Sequence, residues 1–320
     1  MAQEGTAQQT HADATTTNGV IGVGARKLPA PVLALEEFML EPEEAAALQA
    51  QHGVSLHELM QMLVAPAALL ARPPTSAFPV GAIGLGVSGR VYVGVNLEFP
   101  NLPLQHSVHA EQFLVANAAA AGERGLTRIT VNAAPCGHCR QFLAELITAE
   151  TMEIVYKGNC YHLDDILVDK FCPSDLIEPG TAPLLLEPQQ NAVCLAEDFS
   201  TAAASGAVSQ EAVHAAVDAA VQSYAPYSRC PAGLALVTPS GRVYGGGVIE
   251  SCAYNPTLNP LQSAYIAFAA AGEAEFSEVC GAVLVELPGK AVSHEASTRT
   301  ALAAIAPGAE LTVLHLRHAA

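Results

Sequence analysis

The chain has 320 residues, enough for two domains at about 150 residues each. Hydrophobic residues make up 51%, but the longest apolar stretches, such as "MLVAPAALLA", are short and broken by proline, so no membrane span is expected. The net charge is −17, with 14 Lys plus Arg and no run of three basic residues. A polynucleotide binder carries a basic stripe to neutralise phosphates, so this balance disfavours nucleic acid and favours a small neutral ligand.

Residues 1–36 are read as a polar, disordered tail. They lack the apolar core of a signal peptide, and Glu4 and Asp13 precede the first arginine, Arg26, against a transit peptide. Of eight cysteines the last six, Cys160 onward, are scattered without paired spacing, which suits a reducing compartment, and a cytoplasmic location is expected. Order is expected from residue 37. "EPEEAAALQAQHG" has acidic residues early and Gly53 at its end, as a helix would. "SLHELMQMLV" opens with Ser55 and Glu58 in capping-box spacing, predicting a second helix. "ARPPTSAFP" is a connector, since adjacent prolines end helices. Ser88-Gly89 between two β-rich runs predicts a hairpin over "VGAIGLGVSG" and "RVYVGVNLEF". "VHAEQFLVANAAAAGE" reads as a helix and "RITVNAA" as a strand. "PCGHCRQFLAELI" reads as a helix with Pro135 at its first position, and "EIVYKG" as a further strand. The alternation predicts an α/β domain on a mixed sheet over residues 37–172. Residues 173–207, rich in Pro, Gly, Ser and Thr, read as a linker, and "SQEAVHAAVDAAVQSYAP" as the helix that follows.

The chain also resembles itself. "SAFPVGAIGLGVSGRVYVGV" (76–95) aligns without gaps to "SRCPAGLALVTPSGRVYGGG" (228–247), with nine of twenty positions identical. Downstream, "HAEQFLVANAAAAGE" faces "NPLQSAYIAFAAAGE". Residues 208–320 are therefore expected to repeat the first domain. His109 faces Asn259, Glu111 faces Leu261, and the second copy has no P-C-x-x-C, so it keeps turn and packing residues and lacks reactive ones.

Taken alone, Cys136 and Cys139 in "APCGHCRQF" permit four readings: half of a structural zinc site, a redox pair, core residues, or part of a catalytic metal centre. A structural zinc site needs four ligands, usually from a second such pair, and the chain has none. A thioredoxin-like pair needs no His-x-Glu partner. His109, Cys136 and Cys139 supply the three ligands of a catalytic zinc, leaving a position for water. Three-residue spacing puts both thiols on one side of a helix, in its first turn, where unpaired N–H groups stabilise thiolates. Glu111, two residues after His109, is placed to act on that water. His106 and His138 are read as non-ligands, with His138 expected to point away from the metal.

At these residues the chain resembles the zinc-dependent cytidine deaminases that act on free nucleosides. The H-x-E…P-C-x-x-C signature marks zinc nucleobase deaminases, and "GVNLEF", "HAEQF", "PCGHCRQF", "APYS" and "NPTLNPLQ" follow that family's order from about residue 40 onward. The resemblance is to the homodimeric type, whose subunit joins an active domain to a degenerate copy. It implies three-layer α-β-α domains on a mixed sheet, present twice; one zinc per chain on His109, Cys136 and Cys139; and Glu111 as proton shuttle. The implied reaction is hydrolytic deamination of cytidine and 2′-deoxycytidine to uridine and 2′-deoxyuridine with zinc-activated water and release of ammonia, a step of pyrimidine salvage. It further implies that Asn96 and Glu98 hold the ribose 3′-hydroxyl, Phe78 lies beside the base, the Ala110 N–H meets the pyrimidine carbonyl, and Phe171 reaches the neighbouring subunit's site. A carboxylate such as Glu98 accepts from a free hydroxyl and repels a 3′-phosphate, which again favours a nucleoside. Cys172 stands where the family often has Gly, and Ala133 where some bacterial relatives have Tyr. A nucleotide or polynucleotide deaminase and a binding protein with structural zinc are the competing readings; the acidic balance opposes the first, and the open ligand position beside Glu111 the second.

Overall fold

The structure is a computed structural model that describes residue 35 and residues 37–196 and 209–319. The tail read over 1–36 lies, apart from residue 35, outside the described residues. After β1 (Met39–Leu40) come two helices, α1 (Pro42–His52) and α2 (Leu56–Leu69). Gly53 ends α1 at φ 65°, a left-handed position that costs glycine nothing. Ser55 caps α2 as its spacing predicts, accepting from the Glu58 N–H at 3.3 Å while Glu58 accepts from the Ser55 N–H at 2.8 Å. The predicted hairpin is β2 (Gly81–Gly86) and β3 (Val91–Val95), turning at Gly89 with φ 86°. There follow α3 (Ala110–Ala120), β4 (Leu126–Val131), α4 (Gly137–Leu143), β5 (Glu153–Tyr156), β6 (Asn159–Tyr161) and α5 (Leu163–Ile166). The sheet order is β1-β3-β2-β4-β5-β6; β4 and β5 run parallel and the other neighbours antiparallel, so the sheet is mixed.

Helices cover both faces of this sheet, and two glycines set how closely. A Cβ at Gly81 would strike the Val64 carbonyl and Ala68 amide of α2. A Cβ at Gly94, on the opposite face, would strike the Ala110 carbonyl and Leu114 amide of α3. The result is the three-layer α-β-α sandwich.

The second copy repeats this plan. It has α6 (Gln210–Val221), β8 (Ala232–Val237), β9 (Val243–Gly247), α7 (Pro260–Ala270), β10 (Gly281–Glu286), α8 (Glu295–Ile305) and β11 (Glu310–His318). With β7 (Val193–Leu195) at its edge, its sheet order is β7-β11-β10-β8-β9, with β10 and β11 parallel. The edge strand β7 lies inside the stretch read as linker. That stretch is also anchored at Leu185, 2% exposed, whose N–H donates to the Glu145 carbonyl at 3.0 Å. Turn-rich residues around 173–183 hid the apolar run "LLLEPQQNAVCLA" that follows them.

The copies pack through α3 and α7 with a local two-fold. Gln112 Nε2 donates to the Pro256 carbonyl at 2.7 Å, and Gln262 Nε2 donates to the His106 carbonyl at 2.9 Å. Phe99 packs against both Tyr265 and Phe276, with ring centroids 5.3 and 5.1 Å away. One continuous hydrophobic core therefore spans both copies. Among the described residues no helix is long and apolar enough to cross a membrane.

Candidate metal centre

His109 is the N-cap of α3 and Cys136 the N-cap of α4, so two helix starts converge. His109 Nδ1 lies 3.5 Å from Cys136 Sγ and 3.3 Å from Cys139 Sγ, and the two sulfurs are 3.7 Å apart. Zinc with Zn–S near 2.3 Å and Zn–N near 2.05 Å in tetrahedral geometry spaces two sulfurs by about 3.8 Å and sulfur from nitrogen by about 3.6 Å. The donor set thus fits the ion in chemistry and spacing. It is the one cluster of three or more potential ligands among the described residues, and the second copy has none there.

The helix begins two residues later than expected. Pro135 precedes the N-cap and is outside α4, because Cys136 is still extended at φ −73°, ψ 171°. That same extended residue corrects the reading of His138. Helical angular spacing does not apply across an N-cap, and the His138 ring turns toward the site, stacking on His109 at 4.8 Å between centroids. His138 does not belong to the ligand cluster.

Electrostatics favour loss of one thiol proton. The hydrogen bond from Cys139 and the contact with His109 pull Cys136 down to about 3. Cys139, sharing its proton with Cys136 and deeply buried, is pushed up. His109 is raised by its hydrogen bond to Cys136. Glu111, 4% exposed, reaches Cys139, and burial pushes its carboxyl up. A carboxylic acid with a raised pKa both takes and gives a proton more readily near neutrality.

The segment carrying Asn96 and Glu98 lies alongside. Leu97 and Val108 exchange both backbone hydrogen bonds at 2.9 Å, setting residues 96–98 against the strand that leads into His109. Asn96 Oδ1 accepts from the Val80 N–H at 2.8 Å, and its Nδ2 donates to the Phe78 carbonyl at 3.0 Å, leaving one N–H and one lone pair. Glu98 Oε2 accepts from the N–H groups of Thr75 and Ser76 at 2.8 and 2.9 Å. Both side chains therefore fix the loop that presents Phe78, which is 37% exposed. Asn132, which sequence reasoning missed, adds a third tie through Gly81 N–H and the Pro79 carbonyl. Ala110 is the first residue of α3, where an N–H has no partner within the helix. Phe171 sits apart on the segment after α5, 42% exposed, its carbonyl accepting from Gln141.

Comparison with known proteins agrees with this geometry. The family model "Cytidine and deoxycytidylate deaminase zinc-binding region" matches residues 54–156, and a second model of the same description matches 163–299. "Cytidine deaminase 1" of Arabidopsis thaliana is 41% identical over 293 residues, covering 87% of this chain and 97% of that protein. The chain belongs to the cytidine deaminase family. "Cytidine deaminase" of Vibrio vulnificus is 37% identical over 290 residues, covering 90% of this chain and 93% of the relative. The solved cytidine deaminase of Mycobacterium tuberculosis aligns at 30% identity to 36% of this chain and 96% of its own, with a TM-score of 0.34. The family's zinc-binding region is thus represented twice, while the His/Cys/Cys set of this member lies in the first copy.

Proposed function

We propose that this chain is a zinc-dependent hydrolase that converts cytidine and 2′-deoxycytidine to the corresponding uridines with release of ammonia. The observation that carries the reading is the His109–Cys136–Cys139 donor triangle with the buried Glu111 carboxyl against it. Bound zinc supplies the Lewis acidity that brings the pKa of a ligated water toward neutrality. Glu111 takes the water proton and delivers it to the pyrimidine ring nitrogen, making the amine-bearing carbon electrophilic. The water oxygen bonds that carbon, and Glu111 then carries the second proton to the departing amine as the carbon–nitrogen bond breaks. One water is consumed and one ammonia leaves, with the carboxylate restored.

The rest of the reading assigns substrate roles. Asn96, with its remaining N–H and lone pair, and the Glu98 carboxylate hold the ribose; Phe78 covers the base; the unpaired Ala110 N–H meets the pyrimidine carbonyl. Residues 37–172 form the catalytic domain, and 208–320, completed by the strand β7 from the intervening 173–207, form the zinc-free domain. The active form is a homodimer, in which the exposed Phe171 ring reaches the other subunit. The location is cytoplasmic and the role pyrimidine salvage.

Glu111→Ala tests the mechanism. It is expected to fold, retain zinc by metal analysis, and lose turnover by about 10⁴-fold in an ultraviolet assay of cytidine. Deamination at the parental rate by that variant would overturn the assignment.

A further inference from the structure

Glu145 is a carboxylate with no exposed surface, two residues beyond the helix that carries Cys139. All three hydrogen-bond donors to its side chain come from the zinc-free copy. Tyr224 Oη donates to Oε2 at 2.9 Å and Tyr227 Oη to the same oxygen at 2.5 Å, while the Cys252 N–H donates to Oε1 at 2.6 Å. A second tie lies on the helix itself, where Gln141 Nε2 approaches Cys252 Sγ at 3.6 Å. Burying a carboxylate is costly unless its lone pairs are met, so this node binds the end of α4 firmly to the other copy.

The helix concerned has seven residues, about 10 Å of length. So short a helix has little stability of its own and takes its direction from tertiary anchors. The thiols stand at one end of it and Glu145 just past the other. The other ligand helix is also tied to the zinc-free copy, through Gln112, three residues after His109.

These two ties differ in a telling way. The Gln112 bond has its mirror image at Gln262, so it belongs to the packing of two like domains. The Glu145 node has no mirror image. Extending the internal alignment places Arg72 opposite Tyr224 and Thr75 opposite Tyr227, so the first copy has no phenol to return. Arg72 instead donates to the carbonyls of Glu273 and Ala274. Tyr227 is aimed by Glu250, which accepts from the N–H groups of Tyr227 and Ser228 at 2.9 and 3.1 Å. In the first copy the same construction, Glu98 on Thr75 and Ser76, presents Phe78.

We infer that the zinc-free copy has turned its counterpart of the substrate loop into a clamp on the metal helix, with Tyr227 as a positioning residue that acts through Glu145 on Cys136 and Cys139. The inference rests on the zinc site proposed above. Its consequence is that a domain without ligands sets how tightly the ion is held.

Tyr227→Phe removes one O–H and leaves the ring. Tyr244→Phe is the control, since Tyr244 makes the same kind of bond to Glu273 inside the zinc-free copy, away from α4. Both full-length variants are loaded with zinc, confirmed folded by circular dichroism, and challenged with a chromogenic chelator. Tyr227→Phe is expected to release zinc about tenfold faster than the parent, the scale of a lost outer-shell contact. Its kcat should fall with KM for cytidine within about twofold, the mark of a disturbed reacting centre with intact binding. Tyr244→Phe should lower the melting temperature and leave zinc release and kcat at parental values. If Tyr227→Phe does not fold, Tyr224→Phe is read in the same way; failure of both to fold would make the node a folding element alone and overturn the clamp. Parental zinc release by Tyr227→Phe, or equal acceleration in Tyr244→Phe, overturns the clamp and leaves the deaminase reading standing. A parent that holds no zinc overturns the site and the clamp together.

Discussion

The two copies are an internal experiment in which one fold is built with and without a metal site. Much is shared. Tyr92 donates to Glu123 at 3.0 Å in the first copy and Tyr244 to Glu273 in the second. The bridge between Leu97 and Val108 recurs between Ile249 and Leu258. Gly246, opposite Gly94, again lets a helix start touch the sheet. At the metal site the differences are concentrated: Asn259 for His109, Leu261 for Glu111, and no pair of thiols. What persists there without the ligands serves the fold, and the His, Glu and Cys side chains that only the first copy has at those positions are the ones left to serve the chemistry. By its bonds Glu98 falls on the fold side of that division, because Glu250 makes the same two bonds where no zinc ligands exist; the ribose contact proposed for it is what a test must separate.

The largest effect that can test the comparison is loss of the metal. Cys139→Ala should reduce bound zinc from one per chain to none, since two ligands on an open site hold the ion poorly. Elemental analysis of gel-filtered protein measures this. Two tightly bound zinc ions in the parent would break the comparison, because the second copy would then hold metal through residues other than the missing set.

Much of this was legible in the sequence because the signals were local. Ser55 and Glu58, Ser88-Gly89 and the repeat each specify structure within a few residues, and H-A-E with P-C-x-x-C specifies the donor set. What escaped depended on contacts between distant segments. The strand at Val193–Leu195 has partners only in β11, more than a hundred residues on. Glu145 carries no local signal in "FLAELI", and only Tyr224, Tyr227 and Cys252 reveal why an acidic side chain is buried there. The direction of His138 failed for a local reason, the extended Cys136. Glu250 was within reach: carrying the gapless alignment a few residues past Gly247 sets it opposite Glu98.

That alignment gives the next test. Glu98→Ala and Glu250→Ala each strand two backbone N–H groups beneath a loop, at a cost of about 2–3 kcal/mol by urea denaturation. They should separate in kinetics. Glu98→Ala is expected to raise KM for cytidine about tenfold or more and to erase discrimination against 3′-deoxycytidine, while Glu250→Ala leaves KM near the parental value. Equal KM values would reduce Glu98 to a loop anchor, the role it shares with Glu250.

The smallest effect concerns the N-cap itself. Asn259 Oδ1 accepts from the Gln262 N–H at 2.9 Å and so satisfies one orphan donor of α7. His109 holds the same place in α3, but its side chain makes no cap bond, because Nδ1 faces the two sulfurs. Helix stability has been given up there for a ligand. Asn259→Ala should therefore destabilise the protein by about 1 kcal/mol. His109→Asn, in zinc-free protein, should do the reverse and stabilise by roughly the same amount, while abolishing zinc binding. Urea midpoints measured with chelator present check both. A zinc-free His109→Asn no more stable than its parent would show that the imidazole, even without metal, supports the start of α3 as well as asparagine supports α7.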